Sequence, residues 1–318
     1  MISHRVRVGL ARENDRRTNV FTALDLVRDD VIPKLAERVM LKPNFFSSTS
    51  QVTSTHVDAV WGAIDFLRSV PNPPSEIIVA EGGNEAYSGE AFDNYGYRTL
   101  VSDAPFPVRL VDLNQEERWQ ETTIVLADGT PYSIRMPCTV LDCPCTISLA
   151  VAKTHDVCVA TLAFKNMVMG ALHRGDRVMM HGFRSHKTRE LPREAEVLSV
   201  NLMRLARYLT PDIGVIDGTV GLEGNGPGGT EFVSWGVAAA SADAFAADAV
   251  MAKAMGFEPL DLGWLAYAQQ LGYGVGNLNE IEVLGLDVAA VQTRFKPHET
   301  TDQQLQWRSP EFAAHLPA

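Results

Sequence analysis

Short apolar runs of strand length recur along this chain with amphipathic, helix-length segments between them, and that alternation restricts it to an α/β architecture. Strands are predicted over 6–10, 37–41, 77–80, 108–113, 146–152, 213–216, 235–240 and 281–284. Helices are predicted over 20–31, from Thr55 as cap through Leu67, and over 90–95, 162–172, 194–208, 243–255 and 260–271. Between Trp119 and Met136 the pattern becomes two alternating runs around Asp128-Gly129, the signal of an antiparallel hairpin. The expected fold is therefore a mixed, mostly parallel sheet flanked by helices, with that hairpin as an insertion. One domain is expected over 1–287, which the insertion at about 119–136 could divide into two lobes. Residues 288–318 read as a polar C-terminal extension on the surface or in an oligomer contact.

Several strands end in polar residues rather than in plain turns. Lys42-Pro43-Asn44, Glu81-Gly82-Gly83-Asn84 and Lys153-Thr154-His155 each follow an apolar run, and open α/β sheets bind ligands at the carboxyl ends of their strands. Alternation puts Lys153 and His155 on one strand face. Lys165 and Asn166 open the next helix, where backbone N–H groups favour anions. His173, Arg174, His181 and His186 follow in a long basic loop, 173–192, which reads as a lid.

Four of the eight histidines lie between positions 155 and 186. The whole chain carries 28 Lys+Arg against 39 Asp+Glu, a formal net charge of −11. Residues 165–193 run the other way, with seven basic residues against Asp176 and Glu190, 7 − 2 = +5. A local positive patch on an acidic protein attracts small anions while the global charge repels polyanions, so a small anionic molecule is expected and nucleic acid is not. The beginning of the sequence lacks the apolar run of a leader, and no uninterrupted apolar stretch is long enough to cross a bilayer. A cytoplasmic protein that does not engage membranes is expected, and a homo-oligomer is compatible with the composition.

A second polar stretch, Gly221 to Gly229, could cradle a phosphate or carboxylate through the N–H groups of Gly224 and Gly226, with Glu223 and Asp217 as nearby carboxylates. Asp243 reads as a helix N-cap, and Asp248 as a residue that could point from that helix into the site. Cys138, Cys143, Cys145 and Cys158 fall within twenty-one residues, but their spacing is that of neither a zinc site nor a ferredoxin cluster. Buried thiols are the expected reading.

In order along the chain stand Leu41-Lys42-Pro43-Asn44, Ala80-Glu81-Gly82, Gly96-Tyr97, Lys153-Thr154-His155, Lys165-Asn166, Asp217-Gly218, Glu223-Gly224-Asn225-Gly226-Pro227 and Ala246-Ala247-Asp248-Ala249-Val250. From about residue 36 to 287 the sequence resembles the DUF362 domain family. The resemblance implies an α/β fold and a shared polar site, and names no reaction. Longer members resemble a fusion with a ferredoxin-like module rich in C-x2-C spacings, which this sequence does not contain, so no iron–sulfur cluster is expected from it.

The expected function is an enzyme that moves a proton on a small carboxylated or phosphorylated metabolite, as an isomerase or lyase does. His155, Lys153, Glu81 and Glu223 are its candidate catalytic groups. Lys42, Asn44, Lys165, Asn166, His173, Arg174, Gly224 and Gly226 are the candidate substrate ligands. Two alternatives use the same residues. One is a metal-dependent or iron–sulfur-linked redox protein in which His155, His173, His181 and Asp217 bind a divalent metal. The other is a non-catalytic anion-binding module.

Overall fold

The computed structural model describes residues 5–85 and 87–317; the opening tetrapeptide, part of the stretch read for a leader, lies outside the described residues. Among the described residues eleven strands are formed: β1 (Val6–Ala11), β2 (Arg38–Lys42), β3 (Glu76–Glu81), β4 (Val108–Asp112), β5 (Trp119–Val125), β6 (Pro131–Pro137), β7 (Thr146–His155), β8 (Val159–Thr161), β9 (Ile213–Leu222), β10 (Phe232–Ser241) and β11 (Ile281–Gly285). The main sheet runs β11-β1-β10-β9-β7-β2-β3-β4, with β8 folded back on β7. Five of its pairings are parallel (β1 with β11, β2 with β3, β2 with β7, β3 with β4, β7 with β9) and three antiparallel, so the expected mixed, mostly parallel sheet is what forms.

Strand alternation sends side chains into two layers. Val39, Leu41, Ile77, Val79, Ile147 and Leu149 pack beneath helices Arg16–Leu26 and Val57–Ser69. Met40, Ile78, Ala80, Ala150 and Ala152 face the opposite layer, built from helices Ala163–Ala171, Arg193–Leu209, Ala244–Ala254 and Gly263–Leu271. Strands buried on both faces must be apolar throughout, which is why they read as continuous runs.

From β2 the chain moves outward through β3 to β4, then returns to place β7 on the other side of β2. This reversal opens a crevice at the carboxyl ends of β2, β3 and β7, where Lys42, Glu81 and His155 end their strands.

The hairpin β5-β6 forms around Asp128-Gly129, with Gly129 at φ +81°. It docks on helix Arg193–Leu209 through Asn201, whose amide accepts from the Val125 N–H at 2.9 Å and donates to the Val125 and Met180 carbonyls at 2.8 and 3.1 Å. The hairpin in turn braces the basic loop: Ala127 N–H donates to the Gly182 carbonyl at 2.8 Å, and Arg135 pairs with Asp176 at 2.9 Å.

Three expectations change. Thr55 is not the helix cap; His56 caps Val57–Ser69 by accepting from Asp58 N–H, while the Thr55 hydroxyl accepts from Asn44 N–H at 2.8 Å and donates to Leu149 O at 2.7 Å. β9 does not stop at Asp217-Gly218 but continues to Leu222, over an irregularity opposite Val151 and Lys153. The segment 288–317, expected as a polar extension on the surface or in an oligomer contact, sends Phe295, Trp307 and Phe312 into the main core, and Gln304 accepts from Val159 N–H at 2.6 Å.

Candidate functional site

The crevice is a cavity of about 590 Å³, lined among others by Asn44, Phe46, Glu81, Lys153, His155, Asp156, Lys165, Asn166, Arg174, Arg177, His181 and Arg189. Its floor is a set of interlocked amides and amines. Asn166 Oδ1 accepts from Asn44 Nδ2 at 2.9 Å and from Lys42 Nζ at 3.3 Å, and Asn166 Nδ2 donates to Ser148 Oγ at 2.9 Å. Lys42 lies beneath this floor in a buried ion pair with Glu81, and its ammonium also donates to the Pro43 carbonyl at 3.0 Å. Burial pulls the Lys42 pKa below its ordinary value, and Glu81 opposes that pull. Lys42 is therefore a support for Glu81 and Asn166 rather than a wall of the cavity. A Cβ at position 170 would lie 2.2 Å from Lys42 Nζ, so a larger residue there would have to displace the buried Lys42–Glu81 pair.

Lys153 and Lys165 reach the cavity without a carboxylate partner among the described residues. Lys153 Nζ donates to Asn44 Oδ1 at 2.6 Å and to the Thr53 carbonyl at 3.0 Å, 5.1 Å from the centre of the Phe46 ring. Burial first, and the neighbouring Lys165 charge second, lower its pKa to about 7. Lys165 Nζ lies 2.8 Å from His155 Nε2. Burial, reinforced by Lys165, holds His155 well below the ordinary imidazole range, so it is neutral at pH 7.

His155 Nδ1 is 3.0 Å from both Asp156 Oδ1 and Val157 N. A proton on Nδ1 donated to Asp156 leaves Nε2 free to accept from the Lys165 ammonium, and the other tautomer accepts from Val157 N–H instead. The short turn after His155 holds Val159 at φ +66°, a conformation that a β-branched residue adopts only when its surroundings enforce it.

Asp156 continues the network outward. Arg189 joins Asp156 Oδ2 at 2.8 Å and also binds Glu194, whose carboxylate holds His181 Nδ1 at 2.6 Å. The His181 ring stacks over His155, centroids 6.4 Å apart. The loop over the cavity is thus tied down at both ends. Arg177 secures the near end, donating to the Leu172 carbonyl at 3.0 Å and to the Gly83 carbonyl at 3.0 Å, with no carboxylate within 4 Å among the described residues. Arg174 makes no ion pair among the described residues and is exposed beside it. Burial draws Arg177 down to about 10, so it remains cationic at neutral pH.

Asp248 does not point into the site as the sequence suggested. Its two oxygens accept from Ala163 N–H at 2.7 Å and Phe164 N–H at 3.0 Å, capping the helix that carries Lys165 and Asn166. Asp243 is the N-cap expected of it, accepting from Phe245 and Ala246 N–H.

Other sequence candidates lie elsewhere. His173 leaves the cavity, packing edge-on against Trp119 and accepting from Arg135 at 2.8 Å. Asp217 is mid-strand because β9 runs on, and it pairs with Arg16 at 2.6 Å on the wall of a separate cavity. Glu223 turns outward to accept from Lys296 N–H at 2.8 Å. The N–H groups of Gly224 and Gly226 are taken by the Lys296 and Gly224 carbonyls, so they do not form an anion cradle. The loop's glycine instead allows close packing: a Cβ on Gly226 would meet the Thr154 carbonyl at 2.2 Å. Only Pro227 of this loop lines the cavity.

Among the described residues no three His, Cys, Asp or Glu side chains converge to hold a metal ion; of the set His155, His173, His181 and Asp217, only the stacked His155 and His181 are neighbours. The four cysteines are free thiols, and burial pushes Cys145 and Cys158 up to about 12, so both are protonated as they stand. Among the described residues no helix is long and apolar enough to cross a membrane.

Sequence reasoning missed Arg177, Asp156, Arg189 and Glu194 as parts of the site. Asp156 adjoins His155, and both arginines belong to the basic run, but only the folded loop shows which of its charges turn inward.

Comparison with known proteins adds two findings. A family model described as a domain of unknown function, DUF362, matches residues 39–253. A thylakoid-associated protein of Synechocystis sp. is 27% identical over 251 residues, covering 75% of this chain and 69% of that protein.

Proposed function

The chain belongs to the DUF362 family, and on that premise we propose that it is an enzyme which binds a small anionic metabolite in the β2-β3-β7 crevice and moves a proton on it. One observation carries the reading: Lys165 and Arg177 reach one cavity with no carboxylate partner among the described residues, with exposed Arg174 at its rim and an imidazole kept neutral beside them. Buried cations ordinarily have a partner, and a ligand carboxylate or phosphate is the partner this arrangement lacks. The Lys165, Arg174 and Arg177 charges hold the anion. His155 is the proton acceptor, Lys165 shares its proton across the 2.8 Å contact, and Asp156 orients the ring. The loop tied down by Arg189 limits access of water.

Isomerisation or elimination is the chemistry these groups serve most directly, and a cytoplasmic location without nucleic-acid or membrane partners is part of the same proposal. Proton exchange in D2O, followed by NMR over a panel of small carboxylates and phosphates, tests it. The wild type should exchange a C–H proton of its ligand, and His155→Ala should not. Undiminished exchange in His155→Ala refutes the assigned role. Thermal stabilisation by an anion with no exchange identifies a binding module instead.

A further inference from the structure

Two buried lysines at neighbouring strand ends are treated in opposite ways. Lys42 is neutralised by Glu81 and faces no open space. Lys153, near the end of β7, has two acceptors among the described residues, both neutral, Asn44 Oδ1 and the Thr53 carbonyl, and it lines the cavity. Two acceptors are what a neutral amine can satisfy with its two N–H bonds, which leaves the nitrogen lone pair uncommitted. The Phe46 ring bounds another side of the nitrogen, and no carboxylate lies within 4 Å of it among the described residues. A lysine set up in this way, beside a second ammonium and in an enclosed site, is arranged as a nucleophile rather than as a counter-charge.

We propose that the ligand is a 2-oxo carboxylate and that Lys153 Nζ forms an imine with its carbonyl carbon. The inference rests on the anion-binding reading above and gives it a substrate class. The carboxylate lies against Lys165, Arg174 and Arg177, which directs the adjacent carbonyl toward β7. The Nζ lone pair adds to the carbonyl carbon to give a carbinolamine. Loss of water then forms the C=N bond, and one proton, supplied by the Lys165 ammonium in the same cavity, leaves the product as a protonated imine. Lys165 becomes a neutral amine in the same step, so charge and atoms balance. The protonated imine draws electrons from the neighbouring carbon, and neutral His155, which lines the same cavity as Lys153, takes a proton from it. A pKa of about 7 for Lys153 keeps a large fraction of the amine reactive at neutral pH, where an ordinary lysine is almost wholly protonated.

Trapping by reduction tests this. The full chain is incubated at pH 7 with pyruvate or 2-oxoglutarate and sodium cyanoborohydride, with lactate as the control that lacks a carbonyl. Intact mass and peptide mapping then locate the adduct. One reduced adduct per chain on Lys153 is expected, at least about tenfold faster than on any exposed lysine and absent in Lys153→Arg and Lys153→Met. Thermal stabilisation by a 2-oxo acid without an adduct on Lys153 overturns the imine and leaves the anion-binding reading standing. Stabilisation by other anions but by no 2-oxo acid overturns the substrate class. Adducts spread over surface lysines and undiminished in Lys153→Arg overturn the nucleophile. Stabilisation by no anion at all overturns both readings.

Discussion

Replacing Glu81 with Gln isolates the buried pair beneath the cavity. Glu81 is 1% exposed and Lys42 fully enclosed, so neither charge can turn to water when the other is lost. The Gln carbonyl can still accept the Phe45 N–H that Glu81 Oε1 accepts at 3.2 Å, so the change is confined to the ion pair. Its amide N–H groups would face an ammonium, donor against donor. Breaking one side of a buried pair costs about 3–5 kcal/mol, a large share of the roughly 5–15 kcal/mol that holds a domain together.

The pH dependence has a definite sign. Burial depresses the folded pKa of Lys42 below 10.5, so the unfolded chain binds the extra proton, and stability rises with pH from the depressed value toward 10.5. Without Glu81 the depression deepens, the window starts at lower pH, and the deficit shrinks as pH rises, by at most about 1.4 kcal/mol per unit. Urea unfolding of both proteins at pH 6, 7, 8 and 9 measures it. The double variant Lys42→Met/Glu81→Leu, with no charge left to bury, should recover most of the loss. A cost below about 1 kcal/mol, a deficit that grows with pH, or a double variant no better than the single one would refute the reasoning.

Lys153, with a folded pKa of about 7, contributes to stability in the same direction: the wild type should gain stability from pH 7 toward 10.5, and Lys153→Met should flatten that rise in urea titrations. Asp248→Asn keeps one acceptor for two backbone donors and should cost about 1–3 kcal/mol, together with weakened anion binding, because the helix carrying Lys165 loses its cap; unchanged unfolding midpoints would count against it. Asn201→Ala leaves the Val125 N–H and two carbonyls of the hairpin and loop without partners, and should lower stability by about 2–4 kcal/mol in the same assay. Arg189→Ala removes the tie between Asp156 and Glu194 and should speed proteolytic cleavage within 183–188, measured by mass spectrometry, while cleavage elsewhere stays as in the wild type.

Local signals carried the sheet. Apolar runs and turn chemistry are written in adjacent residues, so all eight predicted strands and the Asp128-Gly129 hairpin appear, and Lys153, His155, Lys165 and Asn166 do meet in one cleft. Failures arose where distant contacts decide the outcome. Asp217-Gly218 looks like a strand end, but pairing with β10 carries β9 onward and buries the carboxylate against Arg16. Glycine-rich 224–229 has the composition of an anion loop, yet its N–H groups are spent on nearby carbonyls. The three-residue strand β8 is too short to show a period, and its conformation depends on Gln304 from the far end of the chain. The basic loop announced charge without direction: Arg177 turns in and His173 turns away, a choice made by the hairpin that Arg135 and Trp119 bring to it.

The central claim is that unpartnered cations in the β2-β3-β7 crevice bind an anion, and calorimetric titration tests it most directly. Pyruvate, 2-oxoglutarate and inorganic phosphate are titrated into the wild type, Lys165→Met and, as a remote control, Lys253→Met, whose ammonium is paired with Glu258 on the surface. The account predicts that at least one anion binds the wild type and the control alike and binds Lys165→Met about tenfold or more weakly, a difference of about 1.4 kcal/mol. Equal affinity for all three proteins would contradict it.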